Sequence, residues 1–271
     1  MLDFHYVETG SKQASSTLLL FHGFTGTNQT WVPFLESWSA AHRVIAIDMP
    51  GHGKTESSDT ITMESFTDAV AAFLDKHAIN EVKLLGYSMG GRAALSFACR
   101  YPEKVNGLLL ESASPGLKTE EGRRARQQQD ERLAQRLETG GLEEFVGFWE
   151  KIPLFETQKS LPISIQKQIR QERLSQQASG LAASLRTMGT GKQTSNWDKL
   201  SLLDRPVVLV AGAMDHKFVG INQEMEKQLP NASLHIAAAA GHSVHVEQPR
   251  IFDKIVRRYL LHDEADIMEE S

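Results

Sequence analysis

Short, nearly unbroken apolar runs punctuate the chain at 17–21, 43–48, 81–86, 105–111, 205–212 and 233–237. Continuous apolar character, in place of strict alternation, marks strands covered on both faces. Between these runs the apolar spacing changes. In 62–77, Phe66, Ala69, Val70, Phe73 and Leu74 fall on one helical face. The stretch 90–101 is alanine-rich and stops before Pro102, and 223–229 and 249–261 read as further helices. Strand and helix alternate, which predicts an α/β fold with a mostly parallel central sheet flanked by helices.

The alternation breaks between 115 and 200. That segment is rich in Gln, Arg, Glu and Leu and predicts helices at 127–137, 142–152, 163–173 and 180–187. It is expected to form a helical cap between two strands, lying over the strand ends where open α/β sheets bind ligands. The chain thus divides into a core of 1–114 and 201–264 and a cap of 115–200. An acidic end begins at 262, and 265–271 is expected to be a flexible tail.

Composition narrows the class. With 271 residues, 41% hydrophobic and 23% charged, the chain can bury a sizeable core. Net charge −5 and a pI near 6.1 argue against nucleic acid or an anionic membrane as partner. The apolar runs are far too short for a membrane span. Met1-Leu2-Asp3-Phe4-His5 lacks the basic start and apolar core of a secretory signal, so a cytoplasmic protein, a monomer or weak homodimer, is expected. Cys99 is the single cysteine, which leaves no intrachain disulfide and no zinc spacing.

The chemistry centres on Gly86-Tyr87-Ser88-Met89-Gly90-Gly91. A strand ends at Gly86 and a helix begins after Ser88. Such a corner strains the serine backbone and lifts its hydroxyl above the sheet. Glycine is needed two residues either side, because a Cβ there would clash. A serine hydroxyl needs a partner to take its proton. The order serine, acid, histidine selects His242, in a loop after the last strand, with His245 as runner-up. Asp215 follows the strand at 205–212 and would fix the tautomer of His242; its alternative role is a helix cap. Backbone N–H groups of Phe24 and Met89 would face developing negative charge on oxygen. His22 and the turn Met49-Pro50-Gly51-His52-Gly53 read as structural.

Together, Phe21-His22-Gly23-Phe24, the turn after Asp48, the serine corner, Gly212 with Asp215, and Ala240-Gly241-His242 resemble the α/β-hydrolase superfamily across nearly the whole chain. Finer features are similar to one family, the 2-succinyl-6-hydroxy-2,4-cyclohexadiene-1-carboxylate synthases of menaquinone biosynthesis. They are Arg92 after the serine corner, Ser114-Pro115-Gly116-Leu117 leading to Arg123 and Arg126, then Trp149, Arg173, Gly189-Thr190-Gly191 with Trp197, and Asp215-His216-Lys217-Phe218. The resemblance implies a lyase that eliminates pyruvate from a small polycarboxylate substrate, with Ser88 as a base and no metal or organic cofactor.

Such a substrate calls for fixed cationic forks, which arginine supplies. Arg92 lies one helical turn from Ser88. Arg123 and Arg126 are three apart, on one helical face. The segment 118–136 holds six basic and four acidic residues, so some of its arginines are expected to be solvated. Tyr87, Arg92, Arg126, Trp149, Arg173 and Arg123 are the candidate substrate contacts. The alternatives are a serine hydrolase of the same fold acting on an ester or carbon–carbon bond, and a non-catalytic ligand receptor. A complete triad argues against the receptor, and a polar, arginine-bearing cap argues against an esterase for apolar esters.

Overall fold

The computed structural model describes residues 2–58 and 60–261. The expected tail therefore lies outside the described residues. Seven strands form one sheet: β1 (Tyr6–Thr9), β2 (Thr17–Phe21), β3 (Arg43–Ile47), β4 (Val82–Tyr87), β5 (Val105–Glu111), β6 (Val207–Gly212) and β7 (Ala232–Ala237). Their order is β1-β3-β2-β4-β5-β6-β7. All neighbours are parallel except β1, which runs antiparallel to β3 at the edge. Six of these strands are the apolar runs expected. β1 is a strand that the apolar pattern omits: Tyr-Val-Glu-Thr has no continuous apolar run, because an edge strand is only half buried.

The runs that form β2 to β6 are buried on both faces; β7, at the other edge of the sheet, departs from the expectation, being half-buried with Ile236 exposed. Leu19 and Phe21 join one core layer, while Leu18 and Leu20 join the other. The first layer packs under α2 (Met63–Lys76) and α3 (Met89–Arg100), through Phe66, Leu74, Ala93 and Phe97. The second packs under α1 (Val32–Trp38) and α9 (Pro249–Leu261), through Trp38, Phe252, Val256 and Tyr259. Phe252, Val256, Tyr259 and Leu260 repeat at helical spacing and give α9 its buried face. At its end, Lys83 Nζ donates to the carbonyls of Tyr259 (3.3 Å) and Leu260 (3.1 Å), placing a buried cation where the last carbonyls need donors.

Between β5 and β6 lie α4 (Glu120–Trp149), α5 (Ile163–Leu174) and α6 (Ala178–Met188), with a 3₁₀ segment Pro153–Ser160. α4 joins two of the expected helices and begins earlier, because the Thr119 side chain accepts from Gly122 N–H at the helix start. It is broken at Gly141 (φ 76°, ψ 173°). These helices share a core of their own, with Ala134, Leu137 and Phe145 of α4 against Leu181, Ala182 and Leu185 of α6. After β6 comes α7 (His216–Glu226), which starts earlier than the helix expected at 223–229. The short α8 (Val244–Glu247) precedes α9. No helix among the described residues is long and apolar enough to cross a membrane.

Candidate active site

Four strand ends supply the site. β4 ends at Tyr87 and α3 begins at Met89, so Ser88 alone makes the turn, at φ 51° and ψ −106°. Two close approaches enforce it. A Cβ on Gly86 would lie 2.4 Å from Gly90 O, and one on Gly90 would lie 2.2 Å from Phe21 O. Ser88 N–H donates to Glu111 O of β5 at 2.8 Å, which fixes the corner against the neighbouring strand. Met89 opens α3, so its N–H lacks an intrahelical partner. Phe24 follows β2, and its ring lines the same cavity.

The loop after β7 brings His242 to the serine. His242 Nε2 lies 2.9 Å from Ser88 Oγ, and Nδ1 lies 2.7 Å from Asp215 Oδ2. His242 and Asp215 are buried. Asp215 has both roles weighed for it: Oδ1 accepts the Phe218 N–H at 3.2 Å and starts α7, while Oδ2 faces the histidine. His245 is engaged elsewhere. Its Nδ1 sits 2.9 Å from both oxygens of buried Glu111, and its backbone N–H donates to the same carboxylate.

A cavity of about 350 Å³ opens over Ser88 and His242. Tyr87, Arg92, Arg126 and Trp149 line it. Arg92 is buried and donates to Gln193 Oε1 (2.6 Å) and Met188 O (3.1 Å). Burial, and next the positive charge of Arg126, bring its pKa down to about 10, so it stays cationic at neutral pH. These two hydrogen-bond acceptors are neutral, which leaves that charge for a ligand. Arg126 differs: its Nε donates to Asp130 Oδ1 at 2.7 Å. Burial raises the pKa of Asp130, and Arg126 works against that rise. Trp149 Nε1 is buried with no hydrogen-bond partner among the described residues, a donor suited to a ligand oxygen. Tyr87 OH pairs with Ser243 Oγ at 2.6 Å, and burial followed by the charge of Glu111 pushes its pKa well up, keeping it a neutral donor.

Two arginines sit elsewhere than expected. Arg173 lines an adjoining cavity of about 610 Å³, which shares Phe24, Tyr87 and Phe155 with the first. There it donates to Gln158 Oε1 at 3.1 Å and stacks over Phe155; burial lowers its pKa. Arg123 leaves the site altogether. Three residues nearer the start of α4 on the same face as Arg126, it donates to Leu117 O and lines a neighbouring depression with Lys118, Gly191 and Trp197. Lys118 and Lys217 line the main cavity instead. Lys217 lies in the first turn of α7 within the family-like stretch 215–218, and Lys118 precedes α4; neither position alone marks a ligand contact, and the fold is what brings them together. His22 is structural: it is buried, accepts from Met49 N–H through Nε2 at 2.9 Å, and has Nδ1 2.8 Å from Gly23 O. Among the described residues no group of three His, Cys, Asp or Glu side chains could hold a metal.

A strained serine between β4 and α3, with a histidine and an acid from later strand ends, defines an α/β-hydrolase. The family described as alpha/beta hydrolase fold matches residues 16–249. The chain is 47% identical over 250 residues, 91% of each chain, to a Bacillus subtilis protein provisionally assigned as a 2-succinyl-6-hydroxy-2,4-cyclohexadiene-1-carboxylate synthase. It is 31% identical to the synthase of that name from Pectobacterium atrosepticum, covering 92% of this chain and 95% of that one. The solved structure of MenH from S. aureus superposes with a TM-score of 0.91 at 37% identity, over 94% of this chain and 97% of that one. The chain belongs to the 2-succinyl-6-hydroxy-2,4-cyclohexadiene-1-carboxylate synthase family within the α/β-hydrolase fold.

Proposed function

We propose that this chain is a lyase of menaquinone biosynthesis that eliminates pyruvate from 2-succinyl-5-enolpyruvyl-6-hydroxy-3-cyclohexene-1-carboxylate, giving 2-succinyl-6-hydroxy-2,4-cyclohexadiene-1-carboxylate. The observation that carries this reading is that Arg92, Arg126, Lys118 and Lys217 share one cavity with Ser88. Arg126 also pairs with Asp130 and Lys118 with Glu224, while Arg92 and Lys217 bring charge to an otherwise largely apolar wall, an arrangement that suits a substrate with carboxylates on a carbon ring. The names of the relatives point the same way.

In the proposed reaction Ser88 Oγ passes its proton to His242 Nε2 and takes a proton from the ring carbon beside the succinyl ketone. Asp215 stabilises the imidazolium. The C–H electron pair becomes a dienolate, whose oxygen is held by the N–H groups of Phe24 and Met89. Collapse of the dienolate forms the second ring double bond and breaks the bond to the enolpyruvyl oxygen. The leaving enolpyruvate takes up a proton to become pyruvate. Arg92 and Arg126 bind carboxylates, with Tyr87 OH and Trp149 Nε1 as neutral donors and Arg173 at the far side of the Phe155 wall. No acyl-enzyme forms, and no cofactor takes part.

Pyruvate release, read by coupling to lactate dehydrogenase, tests this directly. The protein should release pyruvate well above the spontaneous rate, and Ser88→Ala should lower kcat by about 10³-fold or more with the fold intact. A rate equal to the spontaneous one, with good turnover of simple esters, would make the chain a hydrolase instead.

A further inference from the structure

The loop that carries His242 is short and under tension. Ala239 has φ 54°. Gly241 is packed so closely against the cap that a Cβ would lie 2.3 Å from Thr157 Oγ1. The imidazole must nevertheless meet Ser88 on one side and Asp215 on the other, at 2.9 and 2.7 Å. Side-chain packing contributes: Phe218 and Phe155 lie 4.7 and 6.1 Å from the ring by centroid. Rings can hold the plane of an imidazole, but they do not fix the backbone from which it projects.

Met214 N–H holds Ala240 O at 2.9 Å, and one carboxylate holds the peptide N–H groups that flank the histidine. Glu247 closes α8, a single turn after the loop. Its Oε2 accepts the Gly241 N–H at 2.7 Å, and its Oε1 accepts the Ser243 N–H at 3.3 Å. These are the residues immediately before and after His242. Both oxygens of one side chain thus brace the peptide groups on either side of the histidine. The expected triad does not include Glu247, and no ligand role is needed to explain it. Neutral side chains cannot copy the arrangement. Glutamine has one acceptor oxygen, and its amide NH₂ would face the second N–H donor against donor. Aspartate is one methylene too short to span both.

We infer that Glu247 is a positioning residue for His242, setting the backbone on which the serine–histidine contact depends. The inference rests on Ser88 and His242 acting together, as the proposed function requires, but not on the identity of the substrate. Loss of the brace leaves the binding residues in place, so turnover should fall while KM does not change. Misplacing a proton-transfer group by about 1 Å costs on the order of 10²-fold.

The test uses Glu247→Gln and Glu247→Ala. Two readouts are compared: steady-state pyruvate release, and the rate at which an organofluorophosphate labels Ser88, which reports serine activation with no natural substrate present. We expect labelling rate and kcat to fall together, roughly tenfold for Gln and up to 10²-fold for Ala, with KM unchanged. Thermal unfolding midpoints are measured alongside. Unchanged labelling and kcat in Glu247→Gln, with only a lowered midpoint, would overturn the inference and leave Glu247 a structural clamp. If Ala fails to fold, the near-isosteric Gln variant decides alone. Slowed labelling with no pyruvate release even in the parent protein would keep the inference and refute the proposed substrate. A parent protein that resists labelling would refute both the serine–histidine reading and the inference.

Discussion

Asp215 joins two functions in one carboxylate. Oδ1 caps α7 through Phe218 N–H, and Oδ2 faces His242 Nδ1. The two can be separated. Asn at 215 keeps an oxygen for the cap, an interaction of about 1 kcal/mol, but presents an amide to the imidazole and favours the wrong tautomer. Asp215→Asn should therefore unfold within about 1 kcal/mol of the parent in urea while kcat drops on the order of 10⁴-fold. A loss below tenfold would show that the carboxylate does not act through the histidine. Much of the candidate site was legible at this scale, because Ser88, Asp215 and His242 each follow an apolar strand in the order the fold demands. The choice between His242 and His245 was not closed by sequence. What separates them is Glu111, a strand residue that occupies His245 at 2.9 Å, and an apolar run gives no sign that its terminal glutamate turns inward. The network in which Gln158 Nε2 donates to Ser243 Oγ (3.1 Å) and Ser243 N–H to Glu247 was likewise invisible, since polar residues in loops declare their partners only once the loops meet.

At the scale of elements, six of the seven strands were read from apolar runs, and the helical segment 115–200 from the break in alternation and its Gln, Arg, Glu and Leu content. The differences have local causes. β1 escaped because an edge strand buries too little to show a run, and α1 because Pro33 sits within it at the first turn, where proline is tolerated but reads as a break. α7 starts at the cap formed by Asp215, earlier than its apolar spacing suggests. α4 is the most instructive, since the gap expected between two helices became a hinge inside one. Gly141 holds φ 76° and ψ 173°, a region essentially reserved for glycine, and nothing lies within 4 Å of where its Cβ would be. Across the break Arg136 Nε donates to Glu144 at 3.0 and 3.1 Å, and Leu137 and Phe145 enter the same cap core. Gly141→Ala meets no clash, so its cost is purely backbone strain, about 1–3 kcal/mol. Amide exchange should speed up in α4 and α6, while β4 and β5 keep their protection. Equal protection in the cap would mean that the break is not held at that angle.

For the whole molecule, the same burial that builds the site makes the fold sensitive to acid. His22 and His52 lie under the loop that carries Phe24, their rings 5.2 Å apart, and both are buried. Burial holds His22 at about 4, with a hydrogen bond to Gly23 O opposing it. Burial and then His22 hold His52 at about 3, with Pro50 O and Asp48 opposing. Asp48 faces His5 and the N–H groups of Asn28 and Lys54, so it offers no direct partner to a protonated His52. In the unfolded chain both histidines titrate near 6.5. Their depressed values mean that the folded state binds fewer protons below 6.5. Stability from these groups is complete above 6.5 and is lost as pH falls towards 4 and 3, at up to about 1.4 kcal/mol per pH unit for each. By pH 4.5 the pair has removed several kcal/mol, a sizeable part of the stability of many domains. Asp130 runs the other way: its raised pKa means that the folded state holds a proton more readily than the unfolded one, so acidification relieves part of the cost of burying it. Urea unfolding at pH 7 and 4.5 should show a steep loss in the parent protein. His52→Gln should be less stable at pH 7, because Gln packs poorly in that space, yet should lose about 1.4 kcal/mol per pH unit less on acidification. Parallel slopes for parent and variant would place the acid sensitivity elsewhere and remove His52 from the account.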